Sequence, residues 1–254
     1  MSSLYSYEKH KNDMYYNALG ASGAVSAVIF AFIILEKSIV SAQGIDQVKD
    51  LPLIITNPKI EDKAAPVALL ISGDGGWYGF EQSIADNLAN LGIPTVGMDS
   101  RKYFWNRRTP KETAADIARA LSFYGKKWGR SKFVLIGYSV GAELVPFIVT
   151  RLPENIKSET ISVVLLSPDL YTDFEVHFTN MLGMGNPQNT FDVVKEIKSM
   201  QPLLTLCIFG DGEKSKVPDL LEGTSVKIKA IPGDHHYKFN LPLIIQTMKE
   251  NGTI

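Results

Sequence analysis

One cysteine is all that this 254-residue chain contains. Cys207 therefore has no partner for an intrachain disulfide, and a disulfide-stapled scaffold is excluded. It lies in the apolar run Leu203-Leu-Thr-Leu-Cys-Ile-Phe209, where a thiol is expected to pack as a small hydrophobe and not to act as a nucleophile. Excess charge is equally scarce. A formal net charge of -1 and a pI near 6.4 exclude a general nucleic-acid-binding surface, so no nucleic-acid partner is expected. The four histidines are accompanied by no second cluster at metal-ligand spacing, so neither a metal nor another cofactor is expected. Internal repeats and low-complexity linkers are lacking too. The glycine-rich stretch Ser72-Gly-Asp-Gly-Gly-Trp77 has no following Lys-Ser/Thr, which argues against a phosphate-cradling P-loop.

What the chain does have is an ordinary globular composition, 45% hydrophobic and 21% charged, long enough for one compact domain. That domain does not include the N-terminus. Residues Ala18 to Leu35 carry no charge, Lys9 and Lys11 precede them, and Val40-Ser41-Ala42 fits the small-x-small cleavage rule. Residues 1–42 are expected to be a signal peptide, leaving a mature chain from Gln43, or an uncleaved membrane anchor at residues 18–35. Either reading puts residues 43–254 outside the cytoplasmic membrane, in a bacterial periplasm.

From residue 45 onward strand-like and helix-like segments alternate. Strands are expected at Leu51–Thr56, Pro66–Ser72, Ile93–Met98, Lys132–Gly137, Ile161–Leu166, Leu203–Phe209 and Val226–Ile231. Helices are expected at Phe80–Leu91, from the capping box Thr109-Pro-Lys-Glu112 to about Lys127, after Ala142, and at about Phe239–Glu250. Apolar strands separated by helices imply a mostly parallel sheet covered on both faces, an α/β-hydrolase with little or no cap domain.

At the end of the fourth strand stands Gly137-Tyr-Ser-Val-Gly141. Strand, sharp turn and helix with a serine at the apex make the G-x-S-x-G nucleophile elbow, and Ser139 is the candidate nucleophile. A serine needs a base, and the base needs a carboxylate to orient it. His10 precedes the apolar segment, and His177 lies in the alternating run Phe174-Glu-Val-His-Phe-Thr179, where a solvated strand face explains it. His235 in Gly233-Asp-His-His236 is the expected base, with His236 as the alternative. Glu213, three residues beyond Gly210, is the expected acid; Asp211 and Asp169 remain alternatives. The glycine-rich loop is expected to supply an oxyanion-hole N–H near Asp74 and Gly75, with Val140, the residue after the nucleophile, supplying the other.

Together, Ile71-Ser-Gly-Asp-Gly-Gly-Trp77, Asp99-Ser-Arg-Lys-Tyr-Phe-Trp-Asn-Arg-Arg-Thr-Pro110, the elbow, Asp173-Phe-Glu-Val-His177 and Gly233-Asp-His-His236 resemble the VirJ/AcvB family of bacterial virulence-associated proteins. The resemblance covers most of residues 50–250. It implies a periplasmic serine hydrolase, associated in some members with type IV secretion and in AcvB-like members with hydrolysis of lysyl-phosphatidylglycerol. Where many members carry a further acid after the acid strand, this chain has Ser215. The basic-aromatic motif is compatible with a lipid: Arg101, Lys102, Arg107 and Arg108 surround three aromatics, and Arg107 and Arg108 are the expected phosphate-binding pair. The expected ligand is an ester, with a membrane phospholipid and secretion-system proteins as expected partners. The competing reading is a non-catalytic accessory protein that keeps the hydrolase fold as a binding scaffold.

Overall fold

Strands that are apolar on both faces must be covered from above and below, and that requirement organises this molecule. The computed structural model describes residues 48–175 and 191–254. The expected leader or anchor in residues 1–42, His10 and His177 lie outside the described residues. Asp50–Ile254 form one compact unit.

The elements run β1 (Leu53–Thr56), β2 (Val67–Ile71), α1 (Gly79–Asn90), β3 (Thr95–Met98), α2 (Ser100–Tyr103), α3 (Pro110–Trp128), β4 (Phe133–Tyr138) and α4 (Val140–Val149). They continue with α5 (Glu154–Lys157), β5 (Thr160–Leu166), β6 (Tyr171–Thr172), β7 (Phe191–Asp192), α6 (Val193–Ser199), β8 (Leu204–Gly210), α7 (Val217–Leu220), β9 (Lys227–Ile231) and α8 (Leu241–Glu250). Seven strands form one sheet in the order β1-β3-β2-β4-β5-β8-β9. Only the edge strand β1 is antiparallel to its neighbour; the other pairs are parallel. Chain order reverses direction between β2 and β4, and in open α/β sheets the crevice beyond that point is where ligands bind. Both the glycine-rich loop and the elbow leave the sheet there.

Burial follows the expected pattern. Leu69, Leu70, Ile71, Leu135, Ile136, Val163 and Val164 are wholly inaccessible, so successive residues of the same strand point into two covered faces. On one side α1 packs against α8; on the other α4 packs against α3 and α6. Cys207 is buried in β8, and burial pushes its thiol up to about 12, which leaves no thiolate for chemistry at neutral pH. The α3 capping box forms as its sequence predicts, with Glu112 N–H donating to Thr109 Oγ1 and Thr109 N–H to Glu112.

The last helix starts later than its sequence suggests. Tyr237, Lys238 and Phe239 have φ of 54°, 49° and 56°, a left-handed turn, and α8 begins only after Asn240 caps the Leu243 N–H. Side chains with a Cβ resist this backbone region at a cost of about 1–2 kcal/mol per residue, so the turn exists because its surroundings hold it. Phe174, at the start of the alternating run, is buried among Phe104, Phe147 and Phe191.

Candidate active site

The elbow begins with two glycines that nothing larger can replace. A Cβ on Gly137 would collide with the Gly141 carbonyl, and one on Gly141 with the carbonyl of Ile71 in β2. Bare backbone at both positions lets α4 leave the sheet at a sharp angle. Ser139, between them, is held at φ 53°, ψ -122°, an outlier for a residue with a side chain.

β9 delivers the base. Gly233 turns the chain at φ 140°, and His235 Nε2 then lies 3.0 Å from Ser139 Oγ. On the other side of the ring, His235 Nδ1 is 3.1 Å from Glu213 Oε2. With the Nδ1 proton given to the carboxylate, Nε2 is left as an acceptor for the serine hydroxyl. The bond from Glu213 raises the His235 pKa above its ordinary value, against the opposing effect of burial.

Glu213 is itself fixed. Its Oε1 accepts from Ser167 Oγ at 2.6 Å and from the Gly210 N–H at 2.6 Å. Burial pushes its pKa up, but these bonds and the one with His235 outweigh it and leave the carboxyl below its ordinary value. The buried Tyr237 hydroxyl lies 2.6 Å from Ser167 Oγ and donates to the Ile208 carbonyl at 2.9 Å, which fixes it beside the serine that holds Glu213.

The other two acid candidates are engaged elsewhere. Asp211 Oδ1 accepts the Gly233 N–H at 2.9 Å, so this carboxylate braces the histidine loop from behind. Asp169 Oδ1 accepts the N–H of Leu170 at 2.7 Å within its own turn. Ser215 Oγ accepts the Val217 N–H at 3.2 Å, at the start of α7. His236, the alternative base, contacts the Tyr138 hydroxyl through Nδ1, not Ser139.

The glycine-rich loop lies against the nucleophile, since a Cβ on Gly73 would sit 3.4 Å from Ser139 Cβ. Within it the Gly73 N–H points to Glu81 at 3.4 Å and the Gly76 N–H donates to the Gly73 carbonyl at 3.0 Å. Among the described residues, the N–H groups of Asp74, Gly75 and Val140 make no protein hydrogen bond. Buried Ser72 and Ser100 tie the loop to the end of β3, with Ser100 N–H donating to Ser72 Oγ at 3.0 Å and Ser100 Oγ donating to the Gly73 carbonyl. A cleft of about 460 Å³ opens over this constellation, lined by Asp74, Tyr78, Tyr138, Ser139, His235 and Phe239 among others.

This site sits on a widely used scaffold. Residues 65–251 match the family model described as bacterial virulence protein (VirJ). The chain belongs to the VirJ family. Solved structures show the α/β-hydrolase fold: Est1E from Butyrivibrio proteoclasticus superposes with a TM-score of 0.56 at 14% identity, over 78% of this chain and 91% of that one. A lipase-esterase related protein from Clostridium acetobutylicum gives 0.53 at 15%, over 78% and 98%. Proline iminopeptidase from Mycobacterium smegmatis gives 0.53 at 12%, over 78% and 94%. Comparison with curated proteins found no match in sequence.

In this VirJ-family chain the basic-aromatic motif divides. Tyr103 and Phe104 are buried, whereas Trp105 is 62% exposed. The Arg108 guanidinium stacks over the Tyr103 ring at 5.1 Å, and its backbone N–H donates to Phe174. Neither Arg107 nor Arg108 lines the cleft or the groove beside it; Arg101 and Lys102 line that groove. The motif's first two cations thus lie beside the glycine-rich loop, at the short helix α2, and its last two lie outside both depressions. Among the described residues no group of three or more His, Cys, Asp or Glu is placed to hold a metal ion. No described helix is long and apolar enough to cross a membrane.

Reading the sequence missed Ser100, Ser167, Tyr138, Tyr237 and Glu143. Glu143, one turn after Ser139 on α4, is buried, and burial raises its carboxyl to about 7. A glutamate in the otherwise apolar helix Val-Gly-Ala-Glu-Leu-Val-Pro-Phe-Ile-Val is the one signal that was legible.

Proposed function

We propose that this VirJ-family protein is a serine hydrolase acting on ester bonds. The observation that carries this reading is the continuous hydrogen-bonded line from Ser139 Oγ through His235 to Glu213. His235 takes the serine proton as Oγ attacks the acyl carbonyl, and Glu213 stabilises the imidazolium that forms. The carbonyl oxygen becomes an oxyanion held by N–H groups of the glycine-rich loop at Asp74 and Gly75 and by Val140. His235 then protonates the leaving alcohol. A water attacks the acyl-enzyme by the same route in reverse, with His235 again as base.

A fluorophosphonate probe tests the reading on the purified protein. Covalent labelling is expected, and is expected to vanish in Ser139→Ala. Because nucleophile and base act as a unit, Ser139→Ala and His235→Ala should each remove nearly all esterase activity, and the double variant should be little worse than either. Absence of labelling with a folded protein would leave the scaffold reading, with secretion-system proteins as its partners.

The finer reading is that the ester is an aminoacyl-phosphatidylglycerol, such as the lysyl form, met in the periplasm. The family resemblance supports it, and Asp74 in the cleft suits a cationic acyl group. Release of free lysine from lysyl-phosphatidylglycerol vesicles, compared with Ser139→Ala, tests the substrate. Fractionation tests the compartment; a full-length soluble cytoplasmic protein would overturn it.

A further inference from the structure

Beside the cleft, on the far side of the glycine-rich loop, lies a second depression of about 560 Å³. We infer that this groove is a subsite for an anionic group that the ester substrate carries away from its scissile bond. The inference deepens the hydrolase reading and rests on it.

Cleft and groove share Gly75, Gly76 and Tyr78, so one ligand can lie across both. The ridge between them is bare at a decisive point. Gly76 has φ 98°, and a Cβ there would stand 3.0 Å from Asp99 Oδ1 and 3.2 Å from Arg101 Cβ, against the groove wall. At Gly76 the ridge between the nucleophile's cleft and the groove's cations is bare backbone.

The charges differ in the two halves. The cleft carries Asp74 and Glu81, whereas the groove carries Arg101 and Lys102 against the single carboxylate of Asp99. Asp99 is already engaged: it is only 5% exposed, it accepts the Lys102 N–H at 3.1 Å, and its other oxygen lies 3.1 Å from Lys102 Nζ. Lys102 is thereby neutralised. Arg101, among the described residues, has no carboxylate within ion-pair distance, which leaves its guanidinium to set the sign of the groove. A guanidinium in a concave site presents paired N–H donors that match a phosphate or a carboxylate in geometry and charge. Exposed Tyr78 and Trp105, each 62% accessible, flank it with aromatic faces, and the Asn106 side chain adds a polar contact. Binding energy gained there, remote from the reacting bond, can be used to position the ester carbonyl on Ser139.

The test uses paired esters that differ only in an anion. One pair places it on the alcohol, a monoacylglycerol phosphate against the same monoacylglycerol. The other places it on the acyl group, p-nitrophenyl hemisuccinate against p-nitrophenyl butyrate. Arg101→Gln should lower kcat/KM about tenfold, mainly through KM, for the anionic member of one pair, while its neutral partner loses less than about twofold. Arg101→Lys should recover part of the loss. The pair that responds tells whether the anion sits on the alcohol or the acyl side. Glycerol phosphate alone should compete in the wild type and lose that effect in Arg101→Gln if the anion is a phosphate.

Equal losses on charged and neutral esters, with undiminished fluorophosphonate labelling of Ser139, would overturn the subsite and leave the hydrolase intact. Absent labelling in the wild type would overturn both.

Discussion

The hydroxyl of Tyr138 lies 2.5 Å from Nδ1 of His236 and 3.3 Å from the carbonyl oxygen of His235. The residue before the nucleophile is thus tied to the base and to the residue after it. Phe80 packs on the Tyr138 ring at 4.5 Å between centroids, and His236 stacks on Phe239 at 5.9 Å, so both ends of the tie are held by aromatic contacts. The left-handed turn at residues 237–239 follows at once, and the tie is one of the surroundings that hold it.

Removing the tie should loosen the base without removing it. Tyr138→Phe keeps the ring packing and deletes only the hydroxyl. We expect kcat to fall about tenfold with KM little changed, since displacement of a catalytic group by a fraction of an ångström is sufficient for such a loss. His236→Ala should do the same, and the double variant should be no worse than either, because both delete one interaction. Additive losses would mean that the two side chains act separately.

Glu213 and Asp211 stand two residues apart in one loop, and their bonds give them different roles. Glu213→Gln should lower kcat by about a thousandfold or more, since an amide can hold the histidine in the wrong tautomer and cannot balance an imidazolium. Asp211→Asn keeps an oxygen to accept the Gly233 N–H and should cost less than about tenfold. Reversed magnitudes on a p-nitrophenyl ester would transfer the acid role to Asp211.

That distinction shows where sequence legibility ends. The elbow was readable because its requirement is local: two glycines, a serine, a strand before and a helix after. His235 was readable for a related reason, as it follows the last strand by a short turn. Which carboxylate faces it was not, since Gly210-Asp-Gly-Glu213 offers two and the choice depends on the Ser167 hydroxyl, which lies 46 positions earlier in the chain. The left-handed turn escaped notice because Tyr-Lys-Phe is ordinary helix or strand composition; its backbone is imposed by the tertiary surroundings. In the basic-aromatic motif no periodicity reveals that the four cations separate, with Arg101 and Lys102 at the groove beside the glycine-rich loop and Arg107 and Arg108 outside it.

The pH profile should reflect the Glu213 bond. His235 must be neutral to accept the serine proton, so kcat/KM should rise with pH through its pKa, with a midpoint above the ordinary value near 6.5. In Glu213→Gln the largest cause of the raised pKa is gone, and the midpoint of the residual activity should move to lower pH. A midpoint that stays in place would show that another group controls the acid limb.

Glu143 supplies a stability test that is separate from catalysis. It lies one turn after Ser139, desolvated by burial, with Asp169 and Asp74 adding like charge, while bonds from the Thr172 side chain and the Asp169 backbone favour the ionised form less than burial opposes it. When ionised, Glu143 in turn helps to raise the His235 pKa. The net result is a folded-state pKa of about 7 against 4.5 for the free carboxyl. Between those values the native state holds a proton that the unfolded chain has released, so stability must fall as pH rises across that window. The favourable contribution is complete below pH 4.5 and gone once pH has passed about 7. At 1.36 kcal/mol per pH unit the difference is about 3 kcal/mol. Glu143→Gln preserves the shape and the bond to Thr172 but cannot ionise. Relative to this variant the wild type should therefore lose about 3 kcal/mol between pH 4 and pH 8 in urea unfolding, and a stability difference that does not change with pH would show that Glu143 titrates in the folded protein as it does in the unfolded chain.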